Sequence, residues 1–185
     1  MNGNSKKMQA LVEKVQKGDV NAFGEIYDLL LEKVYRFIYF KTGNKEDAED
    51  LTESTFIKIW KSIASYKNTG VPFEAWVFRI ARNIVIDHYR TRKQKISLNE
   101  ELKDTLPDDK ELPEDLLHSK MLKEVIFEKM KLLPDNYREI IILKFIEEKD
   151  NKEISQILEK PIDHIRVLQS RALTALKKII YEKRN

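Results

Sequence analysis

Apolar residues recur every three or four positions along most of this chain, and each recurrent stretch ends at a residue that stops a helix. Residues 19–41 set the pattern. Ala22, Phe23, Ile26, Tyr27, Leu30, Val34, Phe37 and Ile38 fall on one side of a helix that Asp19 caps and Gly43 can end. That period excludes the strict alternation of a half-buried strand. Five Gly and five Pro among 185 residues also supply too little turn chemistry for a sandwich or barrel. The expected fold class is all-α with almost no strand.

Punctuation divides the rest. A short helix over about 8–17 ends at Gly18; Asn44 caps another, with Glu46, Asp47, Glu49 and Asp50 where negative charge favours a helix N-terminus. Its inner face is Ala48, Leu51, Thr55, Phe56, Ile59 and Ile63. Residues 66–70 break the period, and Pro72 opens a helix to about Lys93, lined by Phe73, Trp76, Val77, Ile80 and Ile84. From Ile96 to Leu112 no helical period is sustained, and Pro107, Pro113 and many acids predict a flexible acidic linker. A helix over about 113–132 follows. Pro134-Asp135 opens the next, carrying Tyr137, Ile140, Ile141, Leu143 and Phe145. Asp150 caps a short helix with Ile154, Ile157 and Leu158; Lys160-Pro161 makes a turn; a last helix runs from about Asp163 to Tyr181. Two small helical domains are expected, 1–95 and 113–185, joined by residues 96–112.

Charge follows the same division. Residues 1–96 carry 17 Lys+Arg against 12 Asp+Glu, 97–118 carry 2 against 8, and 119–185 carry 15 against 11. Two basic modules flanking an acidic strip suit a polyanion partner contacted twice. The chain has no cysteine and three scattered histidines, so neither a thiolate zinc site nor a histidine ligand pair is expected. There is no Gly-rich phosphate loop, and the adjacent Asp87 and His88 point about 100° apart on a helix, which disfavours a dyad. No enzyme, metal, cofactor or small-molecule substrate is expected. Without a signal-like start or a membrane-length apolar run, a cytoplasmic protein is expected.

Two helices carry cations in an informative arrangement. On the last, Ile165, Leu168, Ala172, Leu176 and Ile179 form the packing face, leaving Arg166, Gln169, Ser170, Leu173 and Lys177 outside and Arg171 on the flank. Arginine and glutamine pair bidentately with guanine and adenine edges, which suits a recognition helix; a solvated basic face has the same pattern. On the helix after Pro72, Arg79, Arg82, Arg90 and Lys93 share a face with Ile86 and Tyr89 nearby, where cations could hold phosphates and an apolar group meet an unstacked base. On the Asn44-capped helix, Ile57 points outward with Asp50, Glu53 and Lys61, hinting at a protein-docking surface.

Four stretches, in order, resemble the extracytoplasmic-function sigma factors, small members of the sigma-70 family. They are Gly18-Asp19-Val20-Asn21-Ala22-Phe23; Ala48-Glu49-Asp50-Leu51-Thr52 through Phe56 to Trp60; Phe73 through Asn83 with Asp87-His88-Tyr89-Arg90; and Leu132-Leu133-Pro134 through Glu153-Ile154 to residues 165–173. The resemblance implies region two over about 8–95 and region four over about 113–185. It implies polymerase contact, on the clamp of the largest subunit, through Asp50, Leu51, Glu53, Phe56 and Ile57. It implies capture of a flipped −10 base by the 62–72 loop, which contains Asn68, and guidance of the melting strand by Arg79, Arg82, Asn83 and Arg90. Arg166, Gln169, Ser170, Arg171 and Lys177 become candidates for the −35 element. Partners implied are core RNA polymerase, including the flap of its second-largest subunit, promoter DNA and an anti-sigma factor.

Two departures bear on helix placement: Asp150-Asn151-Lys152 replaces a small residue common before Glu153-Ile154, and the turn at 160–163 lacks a frequent glycine. The resemblance also implies that the linker passes through polymerase channels, where its net negative charge would imitate nucleic acid. Two rival readings are a helix-turn-helix regulator, which leaves the first domain unexplained, and a sigma-like decoy that binds proteins without reading DNA.

Overall fold

In a computed structural model, the backbone is described for residues 3–98 and 126–181, with side chains over 5–92 and 126–181. Among these residues the elements are α1 (Gly3–Gln16), α2 (Val20–Thr42), α3 (Lys45–Ser62) with a 3₁₀ turn (Ile63–Ser65), and α4 (Phe73–Leu98). Then come α5 (126–131), α6 (Asp135–Ile141) running into a π-helical turn (Ile142–Ile146), α7 (Asn151–Leu158) and α8 (Ile162–Tyr181). No strand occurs among them, and none of their helices is long and apolar enough to cross a membrane.

Local chemistry sets the helix ends. Asp19 accepts the amide of Ala22 at 3.2 Å, and Asn44 that of Asp47 at 2.9 Å. Gly43 ends α2 at φ 69°, and its amide donates to the carbonyl of Tyr39. Asp150 and Glu153 form a reciprocal capping box, so the unusual residues ahead of Glu153 build a complete helix start. The helix ends at Glu159, one residue before the turn at 160–163 that lacks a glycine, and Glu159 itself adopts the left-handed conformation at φ 54°.

Two boundaries differ from expectation. Helix α1 begins at Gly3 rather than near residue 8, and α4 continues to Leu98, through the first residues assigned to the linker. Lys93-Gln94-Lys95-Ile96-Ser97-Leu98 contains neither Gly nor Pro, so nothing stops the helix at 93. The linker beyond Leu98 and the expected helix start near 113 lie outside the described residues.

Helices α1–α4 form one bundle around Val12, Ile26, Val34, Phe37, Ile59, Val77 and Phe78, with Phe37 and Phe78 edge to face at 5.3 Å. Helices α5–α8 form another around Met130, Ile140, Ile154, Ile165, Leu168 and Ala172. Leu176 and Ile179 pack at its margin. The α4 seam differs in detail from the expected one. Phe78, Ala81 and Val85 are buried, whereas Trp76, Ile80 and Ile84 are only partly covered.

The two bundles also pack on each other, α6 and the π turn against α2, and α7 against α4. Every residue from Glu139 to Leu143 is therefore buried. One face of α6 meets α8 and another meets the first bundle, which is why the run Ile140-Ile141-Ile142-Leu143 lacks a polar side. Arg138 ties the ends of two helices together, donating to the carbonyl of Lys41 on α2 and to those of Lys131 and Leu133 at the end of α5. A guanidinium is favourably placed at C-terminal carbonyls.

Candidate nucleic-acid interface

Helix α8 places its cations as its period predicts. Ile165, Leu168 and Ala172 are buried against the second bundle, while Arg166, Ser170, Arg171 and Lys177 face solvent and Gln169 is half-buried. Arg166 is held by Asp163 of the same helix at 2.8 Å, and Lys177 lies over the Tyr181 ring. The positions near the start of α8 thus present long hydrogen-bond donors to solvent, as a helix that reads base edges requires.

Helix α4 is arranged differently. Arg79 donates to the carbonyl of Gln156 at 2.5 Å and pairs with Glu159 at 3.2 Å. Arg82 pairs with the buried Glu139 at 3.0 Å. Lys41, only 1% exposed, completes that cluster at 2.6 Å from Asp135 and 3.5 Å from Glu139. Nearby, both arms of the Arg36 fork reach Glu147, at 2.7 and 3.0 Å, and this hydrogen-bonded pairing raises the arginine's pKa despite the opposing effect of burial. Asn83 and Arg90 remain exposed, Arg90 paired among the described residues with Asp87 on its own helix. The side chain of Lys93 lies outside the described residues.

Glu74 receives Lys149 at 2.6 Å and Lys33 at 2.9 Å. Burial alone would push its carboxyl up, but the two ammonium groups together hold it below the ordinary 4.5. Tyr89, expected to stand free among the cations, instead lies partly buried with its hydroxyl directed at the carbonyls of Lys41 and Thr42. Ile86 is the exposed apolar group on that face.

The loop before α4 has a defined shape. Tyr66 is buried against Phe73 and Trp76, and its hydroxyl donates to the carbonyl of Val71 at 2.8 Å. Gln16 holds the loop's entry through the carbonyls of Ile63 and Tyr66. Asn68 is exposed, donating to Gln9 at 3.2 Å, and Gly70 turns the chain at φ 91°. The carbonyl of Gly70 accepts a 2.6 Å hydrogen bond from Gln156 on α7.

On α3, Asp50, Glu53 and Ile57 are exposed, Ile57 by 45%. Leu51 and Phe56 are not surface residues. At 8% and 5% exposure they belong to the core, because both lie on the face that α3 turns to the bundle. Phe56 still forms the floor of a groove between α2 and α3, walled by Phe23, Tyr27, Glu53, Ile57 and Trp60. Phe23 stacks edge-on with Trp60 at 4.8 Å, and Tyr27 meets Phe56 at 4.6 Å. Sequence reasoning assigned Phe23 and Tyr27 to the core. The signal against it was the breadth of the α2 stripe, since Phe23, Tyr27, Leu31 and Tyr35 make a second row beside the buried one.

Comparisons with known proteins cover both bundles. The family described as Sigma-70 region 2 matches residues 26–95, and that described as Sigma-70, region 4 matches residues 123–176. ECF RNA polymerase sigma factor SigW of Bacillus subtilis (strain 168) is 35% identical, over 90% of this chain and 93% of that protein. ECF RNA polymerase sigma factor BldN of Streptomyces coelicolor is 31% identical, over 95% of this chain and 67% of that one. Among solved structures, CnrH in complex with the cytosolic domain of CnrY has a TM-score of 0.72 at 19% identity, covering 94% of this chain and 97% of that one. The sigma factor RpoE of Bartonella quintana, in complex with the anti-sigma factor NepR, has a TM-score of 0.71 at 22% identity, covering 87% and 98%. These two establish likeness of fold.

Proposed function

We propose a division of labour within this chain from the premise that it belongs to the extracytoplasmic-function sigma factors of the sigma-70 family. It directs bacterial RNA polymerase core enzyme to promoters and assists their opening. Phosphodiester synthesis is left to the polymerase.

Residues 1–95 act as region two, 96–112 as the linker and 113–185 as region four. Asp50, Glu53 and Ile57, beside the aromatic groove floored by Phe56, dock on the clamp of the largest polymerase subunit, with Leu51 supporting them from below. The loop carrying Asn68 takes an unpaired −10 base, and Arg79, Arg82, Asn83 and Arg90 follow its strand. Arg166, Gln169, Ser170, Arg171 and Lys177 read and hold the −35 duplex while the second bundle meets the flap of the other large subunit. An anti-sigma factor is a further partner, as for the Bartonella quintana relative.

The observation that carries this reading is the presence, in one chain, of an exposed basic recognition helix and a separate bundle that pairs a basic helix with an apolar docking groove. A helix-turn-helix regulator has no use for the second. Run-off transcription with purified core polymerase and a genomic DNA library tests it. Discrete transcripts that require this protein are expected, and Asp50→Lys with Ile57→Ala should reduce them by weakening holoenzyme assembly. Absence of protein-dependent start sites overturns the reading.

A further inference from the structure

We infer that the chain holds itself in a closed form, in which carboxylates of the second bundle stand in for DNA phosphates on the cations of the first while α8 stays open to duplex DNA. The inference rests on the assignment above of α4 to the −10 strand and α8 to the −35 element. Within that frame, four cations of the first bundle are held at the seam as a nucleic-acid backbone would hold them, alongside aromatic contacts of Phe127 with Tyr39 and Phe40 and the reversed pair Glu74–Lys149. Arg82 is satisfied by Glu139, Arg79 by Glu159, Lys41 by Asp135 and Glu139, and the Arg36 fork by both oxygens of Glu147. A guanidinium fork accepts carboxylate and phosphate oxygens in the same planar geometry, so the two compete for it directly.

Closure also reaches the loop assigned to base capture. Gln156 is bound to the Gly70 carbonyl, and the groove between the bundles is lined by Asp150 and Glu153 together with Asn68 and Gly70. An incoming strand would meet carboxylates there. Among the described residues nothing comparable covers α8, where Arg166 is engaged by Asp163 of its own helix and Ser170, Arg171 and Lys177 are exposed. Closing therefore blocks one reading surface and spares the other.

The ion-paired part of the contact favours reversal. Charges that leave a buried pair regain hydration, which offsets part of the cost of exposing the apolar run at Ile140–Leu143 and the Phe127 ring when the bundles part. Each cation released is then free to take a phosphate, so a single strand that binds the first bundle also displaces the second.

The experiment uses the whole chain. Because it contains no cysteine, Glu25→Cys and Thr174→Cys, both at exposed positions, accept a donor and acceptor dye for energy transfer between the bundles. Affinity is read by anisotropy with a short mixed-sequence DNA single strand. Glu147→Lys should lower energy transfer and tighten strand binding about tenfold, the gain expected when a binding-competent form held to a tenth of the population is released. Adding Arg36→Glu, which touches no residue assigned to DNA, should restore both energy transfer and weak binding.

Glu159→Lys lies on the surface and repels Arg79, so it should change both readouts in the same direction even if the buried substitution prevents folding. Energy transfer and affinity within roughly twofold of the parent in a folded variant overturn the closed form. Run-off transcription separates the two levels. An inactive parent chain removes the functional reading itself, whereas normal transcription with unchanged energy transfer removes only the self-closure.

Discussion

Helices α4 and α8 are both amphipathic, both basic on the outer face, and alike in sequence pattern, yet they differ in whether their cations are available. Arg79 and Arg82 of α4 are consumed by the second bundle, whereas Arg166, Arg171 and Lys177 of α8 face solvent. The difference arises because α7 and α6 bring Glu159 and Glu139 to α4, whereas among the described residues no element of the first bundle brings an acid to α8. A basic face therefore reports what a helix can bind, and its neighbours decide whether binding must first displace something.

The largest effect expected is structural. Glu139→Ala removes the shared partner of Lys41 and Arg82, and Lys41 is left buried with only Asp135. Because Lys41 keeps Asp135 at 2.6 Å, the cost is that of losing hydrogen-bonded partners of charged groups, about 1.5–3 kcal/mol. Urea denaturation followed by circular dichroism should show a loss approaching that figure if the bundles stay closed. A much smaller loss, accompanied by lower energy transfer, would mean that the bundles part and let Lys41 hydrate.

Next in size is Arg166→Ala, which should remove about 1–3 kcal/mol of discrimination at one or two −35 positions. Its stability should change by no more than about 0.5 kcal/mol, since only an exposed pair within one helix turn is lost. Transcription from promoters randomised at the −35 element measures the first and thermal denaturation the second. A change at −10 positions instead would break the assignment of α8.

Arg79→Ala and Arg90→Ala sharpen the contrast within α4 itself. Both should slow promoter opening, read by permanganate reactivity of unpaired thymines, and leave −35 preference unchanged. Only Arg79→Ala should also lower energy transfer between the bundles, because Arg90 pairs with Asp87 on its own helix. Equal loss of energy transfer in the two variants would contradict the map of contacts.

Acid should act through Glu74. Its carboxyl lies below the ordinary 4.5 when folded, so its pairing with Lys149 and Lys33 stabilises fully above that value and is lost as pH falls through the lower, folded one. Glu74→Gln should flatten the fall in stability below about pH 4.5 and leave the profile near neutrality parallel to that of the parent. The smallest effect is that of Lys177→Ala, a uniform weakening of duplex binding across sequences with a salt slope lower by about one phosphate contact.

Helix ends and faces were legible in the chain because they are decided within a turn or two. Asp19, Asn44 and Asp150 cap amides three positions away, and the seam Ile165, Leu168, Ala172 follows from the helical repeat alone. Local patterning put Leu51 and Phe56 on the inner face, where they lie, but set Tyr89 free among the cations, whereas it is partly buried against the end of α2. A helix face adjoining the core looks the same in sequence whether a neighbour covers it or not. The run Ile140-Ile141-Ile142-Leu143 did signal burial on several sides, but not which bodies would cover it.

By itself, then, the sequence determined the helices, their caps, their inner faces and the order of two basic modules, all consequences of interactions between residues near in the chain. Only the tertiary structure decided that Arg36 meets Glu147, 111 residues away, that Lys41 meets Asp135 across 94, and that Arg82 meets Glu139 across 57. Coulomb attraction carries no marker of sequence position. Any of the many lysines and arginines could have met any acid until the apolar faces of α2, α4, α6 and α7 packed and brought these particular charges within reach of one another.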